Sequence, residues 1–88
     1  MSYKILYYSL VVKEDIPRLD SKIKNRVKKA IENKLMINPK AFSLPLKYPL
    51  NGLYKLRVGD WRIIFEVKKE TVNIVAVRHR SKVYENLV

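Results

Sequence analysis

The chain has 88 residues, 48% of them hydrophobic, and no cysteine, so it can bury one small core but cannot form a disulfide, a zinc finger or a thiol nucleophile. Its 19 Lys and Arg residues outnumber its 8 Asp and Glu residues, and the resulting charge of +11 indicates a polyanionic partner such as a nucleic acid or an acidic protein. We expect a single domain over residues 1–88, a cytoplasmic location, no membrane span, no metal and no cofactor.

The N-terminal segment predicts one strand and one short helix. Residues 2–9 are rich in Tyr, Ile and Leu and apolar on both faces, which is typical of a central or covered strand. Residues 10–19 come next and have helical character. Pro17 would interrupt a long helix because it lacks a backbone donor, so we expect this helix to be short.

A strongly basic amphipathic helix is predicted over residues 21–35. Its apolar residues recur at helical spacing, and Asp20 or Ser21 is the expected N-cap. The opposite face is solvated and basic, and it can contact an RNA backbone in a salt-sensitive way. The candidates for this contact are Lys22, Lys24, Arg26, Lys28 and Lys29.

The second half predicts an irregular surface connection over residues 39–52, which contain Pro45, Pro49 and Asn51-Gly52. Antiparallel strands are then expected over residues 53–58, 61–68 and 71–78, with turns at residues 59–60 and near residues 69–70. The order is βααβββ. This is an α+β fold in which two N-terminal helices pack on one face of a small antiparallel meander and leave the other face free.

The first predicted hairpin gathers positive charge on one face. If residues 59–60 form a two-residue loop, the opposed pairs are Val58 and Trp61, Arg57 and Arg62, Leu56 and Ile63, and Tyr54 and Phe65. One face is then apolar, with Trp61 in the core, and the other carries Lys55, Arg57 and Arg62. Like charges set across a strand pair destabilise the sheet, so these cations form either a solvated face or an anion site.

A second basic group lies at the end of the last predicted strand. It consists of Arg78, His79 and Arg80, with Tyr84 a few residues later. Because this strand runs antiparallel to the preceding one, its C-terminal end returns beside Arg62. A two-residue turn at residues 69–70 would put His79 on the basic face, whereas a three-residue turn would put Arg78 there. The sequence leaves both arrangements open.

Two motifs carry a family resemblance, PLKYPLNGLYKLRVGDWRIIFEV at residues 45–67 and VRHRSKVYE at residues 77–85. They resemble the RelE family of bacterial and archaeal toxins in the RelE/ParE superfamily. This resemblance implies a ribosome-dependent endoribonuclease that cuts mRNA in the ribosomal A site. Matched by motif, the catalytic residues fall on Lys55, Arg57, Arg62, Arg78 and Tyr84, with His79 and Arg80 as further candidates.

The implied chemistry suits these side chains. Attack of a ribose 2′-hydroxyl on the adjacent phosphate builds negative charge on a phosphorane, which a guanidinium can bind in a bidentate fork. We assign this role to Arg62 with support from Arg57, and the leaving 5′ oxygen to Arg78 or His79. A lone histidine is more often structural than catalytic.

The general base remains open between Lys55 and Tyr84. A lysine among other cations gives up its proton more readily, whereas a tyrosine can act as the base or stack on the nucleotide.

The resemblance also implies partners: a cognate acidic antitoxin of the RelB type, the ribosome and mRNA, with no membrane involvement. Two other functions compete with this one. A ParE-like toxin would inhibit DNA gyrase without cutting RNA, and charge alone would equally suit a nucleic-acid-binding module with no catalytic activity.

Overall fold

The computed structural model describes residues 2–85 and 87, and its centre is a five-stranded mixed sheet. The strands are β1 (Lys4–Tyr7), β2 (Leu44–Pro45), β3 (Tyr54–Val58), β4 (Trp61–Lys68) and β5 (Thr71–His79). Their spatial order is β1-β5-β4-β3-β2, and every pairing except β1 with β5 is antiparallel. The short strand β2 lies within the connection that the sequence predicted to be irregular.

Two helical segments separate β1 from β2, as predicted. The first consists of a π-helical turn, Val11–Asp15, and a 3₁₀ turn, Ile16–Arg18. The second is helix α1 (Ser21–Ala30), which continues into a π-helical turn, Ile31–Leu35. Asp20 is the N-cap of α1, since its Oδ1 accepts a hydrogen bond from the Ile23 backbone N–H at 2.9 Å. Neither segment, nor any other helix within residues 2–85 and 87, is long and apolar enough to cross a bilayer.

The main core lies between these helical segments and one face of the sheet. Val11 and Leu35 from the helical side pack with Ile63, Phe65 and Ile74 from β4 and β5, and all are buried. The predicted α+β class is confirmed, and the helical segments cover one sheet face because their apolar sides pack against the apolar side chains that β4 and β5 place there.

The N-terminal strand differs from the prediction of a central or covered strand. β1 lies at the edge of the sheet, where it pairs in parallel with β5 from Lys4↔Thr71 to Tyr7↔Ile74. Strands β3 to β5 form the predicted meander, but β1 makes the whole sheet mixed rather than antiparallel. It occupies the edge of β5 that β4 leaves unpaired, and Leu6 and Tyr7 remain 45% and 43% exposed.

The second sheet face is not free, contrary to the prediction. Val83 is buried against Ile64 and Ala76, and Leu46 and Leu53 pack beside them. The C-terminal segment, residues 80–85, folds over this face because β4 and β5 each place an apolar side chain there.

Candidate functional site

The β3–β4 hairpin has the predicted register. Arg57 pairs with Arg62 and Val58 with Trp61, which leaves Gly59 and Asp60 as the two-residue loop. Gly59 has φ of +59°, a left-handed conformation that glycine adopts without a Cβ penalty. The chemistry of this loop therefore sets which cations share a face.

Three arginines occupy one row across the sheet. Arg57 in β3 pairs with Arg62 in β4, which in turn pairs with Arg78 in β5, and we call these residues the arginine row. Directly opposed residues have Cβ atoms about 4.5–5.5 Å apart, so the row starts three arginine side chains from neighbouring positions on one face. Lys55 lies on the same face because it is two residues before Arg57 in β3, and it pairs with Ile64.

A β-bulge decides that Arg78 joins this row. The β4–β5 turn has two residues, since Lys68 pairs with Thr71, and the sequence argument then predicted His79 on the basic face. Of the two arrangements that the sequence left open, the structure has Arg78 on this face, because the register shifts by one between Ile64 and Phe65 and leaves Val75 as an extra residue in β5. The shift exchanges the sheet faces on which the last side chains of β5 lie, so Arg78 is opposite Arg62.

Arg78 is held by two partners besides its strand neighbours. Its Nε lies 3.5 Å from Oδ2 of Asp15, a carboxylate that is only 5% exposed, and its Nη1 donates to the Glu85 carbonyl. The same Oδ2 accepts a hydrogen bond from the Val77 backbone N–H at 2.9 Å. Asp15 thus accepts a hydrogen bond from a backbone N–H of β5 beyond the end of β1, and it holds the Arg78 side chain in place. Sequence reasoning missed Asp15 because 62 residues separate it from Val77.

The other cations of this face have no anionic partner within residues 2–85 and 87. Arg62 turns back to the hairpin loop, where its Nη1 donates to the carbonyls of Gly59 at 2.8 Å and Trp61 at 2.9 Å. Arg57, Arg62 and Lys55 form no ion pair with a carboxylate in this part of the chain. The face can therefore bind a phosphate group. The same residues include no group of three acidic or histidine side chains that could hold a metal ion.

Tyr84 lies in the segment that covers this face. Its neighbour Val83 packs on Ile64 and Ala76, and the carbonyl of Glu85 accepts the hydrogen bond from Arg78. Tyr84 itself is 43% exposed. A side chain between two anchored residues and open to solvent is suited to contact a bound nucleotide.

His79 and Arg80 lie outside the arginine row. His79 pairs with Trp61 on the helix-covered face, and the two rings meet edge to face at 5.5 Å. Its Nδ1 accepts the Ser81 backbone N–H at 3.2 Å and lies 2.9 Å from Ser81 Oγ. Arg80 is exposed and lies 3.8 Å from Asp60. The structural interpretation of His79 fits this geometry, and Trp61 packs on the core as predicted.

The basic residues of α1 are exposed, and the structure divides them between two sides of the helix. Lys24 and Lys28 line an apolar groove with Tyr7 and Val12, next to the first helical segment. Arg26 and Lys29 line a cleft on the opposite side, next to β3. Lys22 lies in the first turn of the helix. The predicted basic face is thus two separate surfaces.

Comparisons with known proteins agree with this fold. A family model described as ParE toxin of type II toxin-antitoxin system, parDE, matches residues 6–84. The chain is 31% identical over 72 residues to Toxin RelE of Mycobacterium tuberculosis, covering 80% of this chain and 74% of the relative. It is 29% identical over 85 residues to Toxin RelE3 of Methanocaldococcus jannaschii, covering 93% and 96%.

A solved structure gives the same result for the fold. The toxin–antitoxin complex RelBE2 from Mycobacterium tuberculosis contains a chain that superposes with a TM-score of 0.84 at 24% identity, over 91% of this chain and 100% of that one. At that identity the similarity concerns the fold.

Proposed function

The chain belongs to the RelE/ParE family of toxins of type II toxin–antitoxin systems, and from this membership we propose that it is an endoribonuclease. It cleaves mRNA in the ribosomal A site, without a metal cofactor, and so inhibits translation. The single observation that carries the proposal is the arginine row. It places three arginines at directly opposed positions, and neither Arg57 nor Arg62 forms an ion pair within residues 2–85 and 87, so a bound phosphodiester would supply the negative charge that they lack.

The reaction begins with attack of the ribose 2′-oxygen on the neighbouring phosphorus. The bond from phosphorus to the 5′ oxygen breaks, which leaves a 2′,3′-cyclic phosphate and a 5′ alkoxide that takes a proton from water to become the 5′-hydroxyl. Arg62 and Arg57 stabilise the negative charge on the non-bridging oxygens of the phosphorane. Arg78 stabilises the leaving 5′ oxygen, and its contact with Asp15 orients it for this role.

The proton of the 2′-hydroxyl goes to a general base, and two side chains are candidates. Lys55 lies on the face of the arginine row, and Tyr84 lies in the segment folded over that face. Either group could instead position the nucleotide, Lys55 by contact with a phosphate and Tyr84 by stacking on a base. His79 has no part in this scheme because it packs against Trp61 on the opposite face.

The test is cleavage of a defined message in a cell-free translation extract, with new 5′ ends mapped by primer extension. The wild-type protein should produce ends within A-site codons. Arg62→Ala should lower the cleavage rate by about 10²–10³-fold, the cost of removing one electrostatic stabiliser of a transition state.

Lys13→Ala is the matched control, since it removes one exposed positive charge from the first helical segment, outside the arginine row. Its cleavage rate should remain close to that of the wild type. Uncut message with folded wild-type protein would contradict the proposed activity, and equal rates for Arg62→Ala and wild type would contradict the proposed site.

A cognate antitoxin is the proposed partner. The Mycobacterium tuberculosis structure is a toxin–antitoxin complex, and this chain combines a charge of +11 with exposed apolar side chains near the β1 edge. An acidic segment that folds on binding would match both properties. Expression should be toxic to cells, coexpression of a neighbouring acidic gene product should relieve the toxicity, and the affinity of the pair should fall as salt rises.

Inhibition of DNA gyrase is the second candidate, because the matching family model is that of the ParE toxin. A supercoiling assay with purified gyrase separates the two functions. Inhibited supercoiling with intact messages would favour gyrase, whereas cut messages with normal supercoiling would favour the nuclease.

A further inference from the structure

A basic cleft lies between α1 and the β3 edge of the sheet, outside the arginine row. Its lining includes Arg26, Lys29, Lys34 and Arg57, and its volume of about 430 Å³ lies within the range of small-molecule sites, about 300–1,000 Å³. No carboxylate lines it, and none of the four cations forms an ion pair within residues 2–85 and 87. The cleft therefore concentrates uncompensated positive charge.

The helix and the hairpin shape this cleft together. Arg26, Lys29 and Asn33 follow one another at three- and four-residue spacing, so they lie on one face of the helix. The guanidinium of Arg26 packs against the hairpin loop, only 3.0 Å from the position that a Cβ would take at Gly59. β2 pairs with Tyr54 and Lys55 only, so β3 has no strand partner on this side near Arg57.

Arg57 belongs to both surfaces. It is the β3 member of the arginine row, and it also lines the cleft. We propose that the cleft is an RNA-backbone subsite, which binds phosphates flanking the one at the arginine row. This inference rests on the proposed function and deepens it. The same RNA strand would cross the hairpin edge at Arg57, with the flanking phosphates held by Arg26 and Lys29.

An RNA strand fits this site better than an acidic protein segment does. Every nucleotide brings one phosphate, so a strand that continues from the arginine row delivers negative charge directly into the cleft. Arginine and lysine supply the contacts without reading bases, and such contacts set register rather than sequence preference.

The test compares two double variants of α1 that remove the same charge. Arg26→Gln with Lys29→Gln alters the cleft, and Lys24→Gln with Lys28→Gln alters the other side of the helix, so any effect of net charge alone is equal in both. Binding of a short single-stranded 2′-O-methyl RNA, which cannot be cleaved, is measured by fluorescence anisotropy from about 50 to 200 mM salt.

The cleft variant should bind the RNA at least about fivefold more weakly than the control variant, and its slope of log K against log salt should be smaller by about 0.7–1.4, as for one or two lost phosphate contacts. Equal losses in both variants, or no binding by the wild type, would overturn the inference. A glutamate-rich peptide of equal length serves as competitor. If the cleft variant loses peptide binding by the same factor, the occupant is an acidic protein and the RNA assignment is wrong.

The binding assay is independent of cleavage, so the two proposals can fail separately. If the cleft variant binds RNA more weakly than the control variant but mRNA stays uncut in the translation extract, only the nuclease proposal is contradicted. If mRNA is cut but the two double variants bind RNA equally well, only the subsite proposal is contradicted.

Discussion

Asp15 and Arg78 come from opposite ends of the chain and meet with Oδ2 and Nε 3.5 Å apart, where the carboxylate is nearly inaccessible to solvent. Removing the charge of Asp15 leaves the Arg78 guanidinium without its ion partner and weakens the bond to the Val77 N–H. Because hydrogen bonds to charged groups are stronger than neutral ones, Asp15→Asn should lower the free energy of unfolding by about 1–3 kcal/mol. Urea denaturation measures this change.

Glu14→Gln is the control for that prediction. Glu14 precedes Asp15 in the same helical segment and pairs with Arg18 at 3.4 Å, but both partners are largely exposed. Exposed pairs contribute little, so this substitution should change stability by less than about 0.5 kcal/mol. Equal effects of the two substitutions would mean that the buried contact has no special role in holding the end of β5.

Local patterns predicted the elements that depend on local chemistry. The loop at Gly59 and Asp60 fixed the β3–β4 register, including the opposition of Arg57 and Arg62. The apolar stripe of α1 and its cap at Asp20 were equally readable, because both signals lie within a few turns of one helix.

Features that depend on distant contacts could not be read in the same way. The bulge at Val75 has no glycine to mark it, yet it decides whether Arg78 or His79 faces the arginine row. The edge position of β1 depends on which side of β5 remains unpaired, and the cover over the second face depends on Val83 reaching Ile64. The candidate site therefore combines a predictable hairpin with a strand end that only the structure places.

Charge repulsion in the arginine row predicts that losing one arginine stabilises the protein. Arg57→Met keeps an unbranched, flexible stem and removes the charged guanidinium, so the free energy of unfolding at low salt should rise by about 0.2–1 kcal/mol. Lys13→Met removes an exposed charge elsewhere and controls for the overall charge of +11. The difference between the two variants should disappear at about 1 M salt, where the screening length is about 3 Å. A stability loss in Arg57→Met would contradict repulsion in the row.

The phenol of Tyr8 should titrate above its usual range. Burial first, and then the neighbouring charge of Glu66, raise the pKa of Tyr8 above the usual 10.0, and its hydroxyl donates to Glu66 Oε1 at 3.3 Å. The folded state thus holds this proton more tightly than the unfolded chain does, and the stability from Tyr8 is present below pH 10 and lost as pH rises through the folded pKa.

Glu66→Gln removes one of the causes of that shift. More phenolate should form near pH 10 than in the wild type, seen as higher ultraviolet absorbance. The increase should be absent when Glu66→Gln is introduced into Tyr8→Phe, since five other tyrosines then titrate alike in both proteins. An increase that persists in that background would assign the effect to another tyrosine.

The C-terminal segment provides a prediction that separates structure from activity at adjacent residues. Val83 is 2% exposed against Ile64 and Ala76, so Val83→Ala should destabilise the protein by about 1–2.5 kcal/mol through lost burial and a residual cavity. Tyr84 is 43% exposed, and Tyr84→Ala should cost less stability than that while lowering mRNA cleavage much more strongly. Both variants are measured by denaturation and in the translation-extract assay. If Tyr84 serves only to anchor the segment, Tyr84→Ala would lose more stability than Val83→Ala and would not lose more cleavage. In that case Lys55 would be the remaining candidate for the general base.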